Sequence, residues 1–149
     1  LIMKSNDKCV IVRKQDVEKE LAAQPKQGKT VLEPFRTFAR EHGLPFNILE
    51  DSNTVNSAEI HKDKGDLWYC LEGEAVFTYG GNLFEPRVKE NKDGTRDETE
   101  LLAEKISGGT EVVLKPGDWL WIPAGAAHSH RSDGVARFVV IKIPCQSGN

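Results

Sequence analysis

Pro116-Gly117-Asp118-Trp119-Leu120-Trp121-Ile122-Pro123-Ala124-Gly125-Ala126-Ala127-His128-Ser129-His130 holds a tight turn, a short strand, a second turn and a histidine at the head of a further strand. Pro-Gly and Pro-x-Gly punctuate the chain, and the aromatic and branched run between them favours a pleated strand. Alternation puts Trp119 and Trp121 on one face of that strand and Leu120 and Ile122 on the other.

Upstream lies a second stretch of the same texture, Glu59-Ile60-His61-Lys62-Asp63-Lys64-Gly65-Asp66-Leu67-Trp68-Tyr69-Cys70-Leu71-Glu72-Gly73-Glu74. Residues two apart on a strand project together, so Glu59 and His61 share a face. After a turn expected at Lys64-Gly65, Asp66, Trp68 and Cys70 share the next one. Imidazole with carboxylates is a donor set for Zn²⁺, Fe²⁺, Mn²⁺, Ni²⁺ or Co²⁺. His128 is remote from His61 in sequence but able to close such a site in space. The metal ligands expected are therefore Glu59, His61, Asp66 and His128, around one divalent ion. His130 shares the parity of His128 and is a candidate proton carrier, as is Glu59 if it stands beside the ion.

Around these stretches the chain alternates strands and turns. Phe46 to Leu49, Asp66 to Tyr79 with a break at Gly73, Glu111 to Leu114, and Val135 to Ile143 read as strands. Gly80-Gly81, Gly108-Gly109 and Ser132-Asp133-Gly134 read as turns. Many short strands with regular turns predict a sandwich or barrel. Residues 86–105 interrupt the pattern with charge, and are read as a solvated hairpin tip or a lid. The first third is partly helical. Asp16 is expected to cap a helix over Val17 to Ala23, ended by Pro25 and Gly28, and a second helix runs from Pro34 to His42 with Gly43 as its terminator. Both are expected to pack outside the main core. His42 is expected to be structural, and Arg137 to be solvated or to reach the site's mouth.

The spacing Gly117, five residues, Pro123-x-Gly125, two residues, His128 resembles the second motif of the cupin superfamily. Glu59-x-His61, four residues, Asp66, six residues, Gly73 resembles the first, with Glu in place of the first His and Asp in place of the Glu. Asn53 stands where the leading Gly is usual, and Ser132 where the trailing Asn is usual. The resemblance covers roughly residues 55–143. It implies an all-β cupin jelly-roll β-barrel with a short helical N-terminal extension: one domain, 1–149, with the extension at 1–45 and the barrel at about 46–144. The Glu-x-His…Asp pattern is also similar to small sugar-processing cupins related to the β subunit of the evolved β-galactosidase.

Composition narrows the function. In 149 residues, 38% are apolar and 29% charged, the balance of a globular protein able to bury its own core. Net charge is −3 and Lys and Arg are scattered, so nucleic acid is not an expected partner. No run is apolar enough to span a bilayer, and Leu1-Ile2-Met3-Lys4 does not open a signal peptide, so no membrane association is expected. Cys9, Cys70 and Cys145 form no Cys-x-x-Cys pair; reduced thiols and a cytoplasmic location follow.

The functional expectation is a metal-dependent enzyme, isomerase- or epimerase-like, on a small polar substrate such as a sugar or a keto or hydroxy acid. The alternatives are an Fe-dependent dioxygenase and a non-catalytic module binding a small ligand. A homodimer is expected by resemblance, because open sheet edges invite pairing.

Overall fold

The computed structural model describes residues 1–6 and 8–145. The elements, in order, are α1 (Lys14–Leu21), β1 (Gly28–Val31), α2 (Phe35–Glu41), β2 (Phe46–Val55), β3 (Ala58–His61), β4 (Lys64–Glu72), β5 (Ala75–Tyr79), β6 (Asn82–Leu83), β7 (Arg87–Glu90), β8 (Arg96–Ala103), β9 (Ile106–Ser107), β10 (Thr110–Leu114), β11 (Trp119–Ile122) and β12 (His128–Pro144). All strand pairings are antiparallel. Ten of the strands form one curled sheet, and β6 and β9 make a separate two-stranded ribbon. This is the all-β jelly roll expected from the motif resemblance, within the sandwich-or-barrel class that the turn-and-strand rhythm predicts.

The long strand β12 is the spine. Its first residues pair with β5, from His128 opposite Tyr79 to Arg131 opposite Val76. Its later residues pair with β4, and β2 runs along its other edge. The expected turn at Ser132-Asp133-Gly134 is instead a bulge within one continuous strand. Ser132 faces Thr54 and Val135 faces Ser52, so one extra residue is absorbed there, which bends the strand. The Ser132 hydroxyl lies within hydrogen-bond reach of the carbonyls of Gly134 (3.0 Å) and Glu74 (3.2 Å), and its one proton tethers the bulge to either.

Inside the barrel, Trp68, Phe77 and Phe138 meet edge to face with ring centroids 5.0–5.6 Å apart. Leu49, Cys70, Leu114, Ile122, Ala136 and Val140 complete this core. Gly73 turns β4 into β5 at φ +69°, where a Cβ would sit 1.9 Å from the Val135 carbonyl oxygen, so no other residue fits. The turn expected at Lys64-Gly65 lies instead at Lys62-Asp63. Gly65 is already in β4, where its missing side chain leaves room for the Trp121 ring.

A smaller core lies on the outer face of the sheet. There α2 packs Phe35 and Ala39 against Leu32 and Ile48, as expected for helices outside the barrel. Gly43, at φ +63°, ends α2: its N–H donates to Arg40 O and that of Leu44 to Ala39 O (2.8 Å), a Schellman turn. Both helices begin at positions shifted from those expected. Arg13, not Asp16, is the N-cap of α1; Asp16 sits in the first turn and accepts the Arg13 N–H at 3.2 Å. Pro34 stands just before α2. His42 caps α2, its ring 4.1 Å from that of Phe38.

Arg137 is neither solvated nor at the mouth. It is buried, and its guanidinium donates to Glu50 Oε2 (2.7 Å), Glu72 Oε1 (2.7 Å), the Ala23 carbonyl (2.7 Å) and the Leu21 carbonyl. The last carbonyls of a helix have no partners within it; Arg137 supplies that of Leu21 at the end of α1 and that of Ala23 just beyond it, tying the end of α1 to the sheet. The sequence reading also passed over β1, whose residues pair with β2 from Gly28 opposite Ser52 to Val31 opposite Leu49.

Residues 86–105 form a hairpin rather than a lid. Its second strand, β8, is an internal strand of the sheet, and its residues Glu100 to Ala103 pair with the whole of β3.

Candidate metal centre

Three strands bring the four expected ligands together. β3 presents Glu59 and His61 on one face, β4 presents Asp66, and β12 opens with His128 directly opposite Glu59. Glu59 Oε1 lies 3.5 Å from His61 Nε2 and 3.4 Å from His128 Nε2. Asp66 Oδ2 lies 3.2 Å and 3.5 Å from the same two nitrogens. The imidazole centroids are 5.0 Å apart. Donor atoms of Glu59, His61 and His128 all fall within 4.8 Å of one another, a group that could hold a metal ion, with Asp66 against its two nitrogens.

The imidazoles are aimed from behind. His61 Nδ1 bonds Glu100 Oε2, and Lys64 Nζ in turn holds Glu100 Oε1 at 2.9 Å. His128 Nδ1 donates to the Ala126 carbonyl at 3.1 Å. A carboxylate and a carbonyl can only accept, so Nδ1 of each ring carries a proton and Nε2 faces inward. Lys142 Nζ donates to Asp66 Oδ1 at 2.7 Å, leaving Oδ2 for the centre. Consequently His61 Nε2, His128 Nε2 and Asp66 Oδ2 are buried and have no hydrogen-bond partner. They approach one another closely without hydrogen-bond alignment. Buried polar atoms left in this state are uncommon, and three in one place call for a cation. The residues present therefore fit a divalent metal ion.

The electrostatics agree. Burial alone would depress the His61 imidazolium, but Asp66 and Glu59 override it and push its pKa up to about 10. His128 is raised against burial by the same two carboxylates. Burial alone would raise Glu59 and Asp66, yet the imidazoles hold both well below the usual carboxylate range. The pocket thus demands positive charge. Glu59, 21% exposed, is the most accessible of the four and forms the rim, and the charge of Lys29 on β1 acts on it.

Neither Cys70 nor Trp68 joins the group. Burial, with Asp118 nearby, pushes the Cys70 thiol up to about 11, so it stays protonated in the core. Trp68 packs in the barrel. His130 is buried two residues beyond His128, its ring stacked 5.2 Å from Phe77 and 5.0 Å from Trp68. Its Nδ1 bonds the wholly buried Asp51, whose other oxygen accepts from Asn56 Nδ2 at 3.1 Å. Sequence reasoning did not find Glu100, Lys64, Lys142, Asp51 or Asn56.

No family model matches the sequence, and no curated protein does. Among solved structures, the chain resembles Drosophila melanogaster CENP-C bound to CAL1 at 14% identity and TM-score 0.46, over 66% of this chain and 64% of that one. It resembles an oxalate oxidase at 17% identity and TM-score 0.44, over 66% of this chain and 41% of that one. It resembles a predicted oxalate decarboxylase from Thermotoga maritima at 16% identity and TM-score 0.46, over 78% of each chain. The chain therefore spans about two fifths to two thirds of the length of the first two.

Proposed function

We propose that Glu59, His61, Asp66 and His128 hold one divalent metal ion, and that the protein is a metal-dependent enzyme of isomerase or epimerase type acting on a small polar molecule such as a sugar or a keto or hydroxy acid. The observation that supports this reading is the set of three buried, partnerless donor atoms on His61, His128 and Asp66. A bound ion would supply Lewis-acid polarisation of adjacent oxygens. Glu59, at the rim, is placed to leave the ion and, uncoordinated, take a proton from a molecule entering over it. His130, backed by Asp51, is a second group able to carry one. Lys29 adds a positive charge near Glu59 that suits an acidic or hydroxylated substrate.

The test is elemental analysis of the purified full chain, followed by calorimetric titration of the metal-stripped protein with Zn²⁺, Mn²⁺ and Fe²⁺. One ion per chain, lost in the His61→Ala/His128→Ala double variant, is expected. Unchanged affinity in that variant would remove the proposal. With the metal fixed, Glu59→Gln should abolish isomerisation of a responsive sugar or keto acid while sparing the fold. Oxygen uptake by the iron form would favour the dioxygenase reading, and a ligand returned unchanged would favour a binding module.

Assembly is part of the same reading. Trp119 and Trp121 expose 59% and 51% of their surface on the outer face of the sheet. The helices do not cover them; Trp119 stacks on Tyr69 at 4.4 Å. An exposed aromatic face on β11, a strand paired on one side only, suits a second copy of this chain. Among the described residues no helix is long and apolar enough to cross a membrane.

A further inference from the structure

A cavity of about 510 Å³ opens away from the metal centre, between the segment leading into α1, α1 itself and the start of α2. Its apolar wall is Ile11, Val12, Pro34, Phe35 and Phe38. Its polar groups are three acids, Asp16, Glu20 and Glu33, against a single Lys19.

Each acid is fixed by the backbone at the start of a helix. Asp16 Oδ2 accepts the Arg13 N–H at 3.2 Å, Glu20 Oε1 accepts the Phe35 N–H at 2.8 Å, and Glu33 Oε2 accepts the Thr37 N–H at 3.0 Å. Glu20 is the unusual one. It is only 6% exposed, and its second oxygen, Oε2, is buried without a hydrogen-bond partner. A carboxylate kept in that condition has a strong unmet demand for a donor. Nothing in the fold requires an acid there, since a neutral amide would accept the Phe35 N–H equally well.

We propose that this cavity binds a small primary amine with an apolar, aromatic-sized body, its ammonium on Glu20 Oε2 and its body against Phe35 and Phe38. An ammonium offers three donors and no acceptor, matching an excess of acceptors. The site is open on one side, which suits a body able to bury its apolar part while its charged end meets the acids. Burial, with Glu33 nearby, holds the Glu20 carboxyl above the usual carboxylate range, and a bound cation would relieve both effects. The site shares no residue with the metal centre, so it stands or falls separately.

The experiment is nitrogen–proton NMR of the full chain titrated with phenethylamine, phenylacetate and ethylbenzene. The Phe35 amide is the direct reporter, because it donates to Glu20. Saturable shifts at Phe35 and along α1 with phenethylamine, and none with phenylacetate, are expected. Glu20→Gln should weaken phenethylamine about tenfold or more, the worth of a hydrogen bond to a charged group. Should Glu20→Gln fail to fold, the three-probe comparison on the native chain decides. Equal response to all three probes, no response to the amine, or shifts located elsewhere would each overturn the proposal.

Discussion

The backbone N–H of Gly125 donates to the carbonyl of His61 at 2.8 Å. That one bond splices the Pro-x-Gly turn before β12 onto the end of β3, so the loop that delivers His128 is fixed to the residue it must face. The relative placement of His61 and His128, two of the proposed ligands, is thereby set by backbone.

The support behind the ligands should be as consequential as the ligands. In Glu100→Gln the His61 ring keeps a partner but loses a charged one, and Lys64 loses its salt bridge. Metal affinity is expected to fall by about 10- to 100-fold with the fold intact. Competition with a chromophoric chelator measures it, and native affinity in this variant would deny Glu100 an orienting role.

Stability should depend on pH in a metal-specific way. In metal-free protein the His61 pKa rises from 6.5 to about 10, so its stabilisation is complete below about 6.5 and disappears as pH climbs through 10. Glu59 and Asp66 are lowered from 4.5 and 3.8, so theirs is complete above about 4.5 and disappears in acid. The stripped protein should have its highest Tm between about pH 4.5 and 6.5. A bound metal competes with the histidine protons, so the Tm gain on adding it should grow as pH rises above that window. Thermal scans with and without chelator across pH 4–10 provide the check. A gain independent of pH would contradict these protonation states.

Arg137→Met should cost about 3–5 kcal/mol in urea unfolding, because it strands the buried Glu50 carboxylate. It should also free α1, because its last carbonyl, Leu21 O, and that of Ala23 just beyond it lose their donor. Hydrogen exchange of α1 amides should then accelerate more than that of the barrel strands. Uniform acceleration would mean that Arg137 does not dock the helix locally.

If the proposed dimer forms through this face, the native chain should run as a dimer and a Trp119→Glu/Trp121→Glu variant as a monomer, with metal content unchanged. Light scattering at matched concentration distinguishes them, and an identical mass for the two proteins would place any interface elsewhere.

Local patterns announced the four proposed ligands and a sandwich or barrel, and the motif resemblance narrowed that to the jelly roll. Glu59 and His61 lie two apart on one strand, Asp66 follows a turn, and His128 follows Pro123-Ala124-Gly125, so short-range spacing sufficed. Glu100 and Lys142 were not legible, because their partners His61 and Asp66 lie 39 and 76 residues away and meet them only through strand register. Register is a property of the closed sheet, not of any window of sequence. β1 escaped notice because Gly28-Lys29-Thr30-Val31 is short and follows a Pro- and Gly-bearing segment, so its strand identity comes from β2. Arg137 sits in an apolar run where a charge reads as an outward-facing residue; the carbonyls it meets at and just beyond the end of α1 are 116 and 114 residues distant.

The long bulged strand also governs how the chain must fold. β12 pairs with β2, β4 and β5 at once, and its Arg137 meets Glu50 across 87 residues. Such distant pairings pay their loop-closure entropy before any contact rewards it, so the rate-limiting event should be the slow docking of β12 against β2, β4 and β5, which among the described residues otherwise pair only with β1, β11 and β10. Until then β2 and β5 each present a bare edge, and that unclosed intermediate is the species from which aggregation would start.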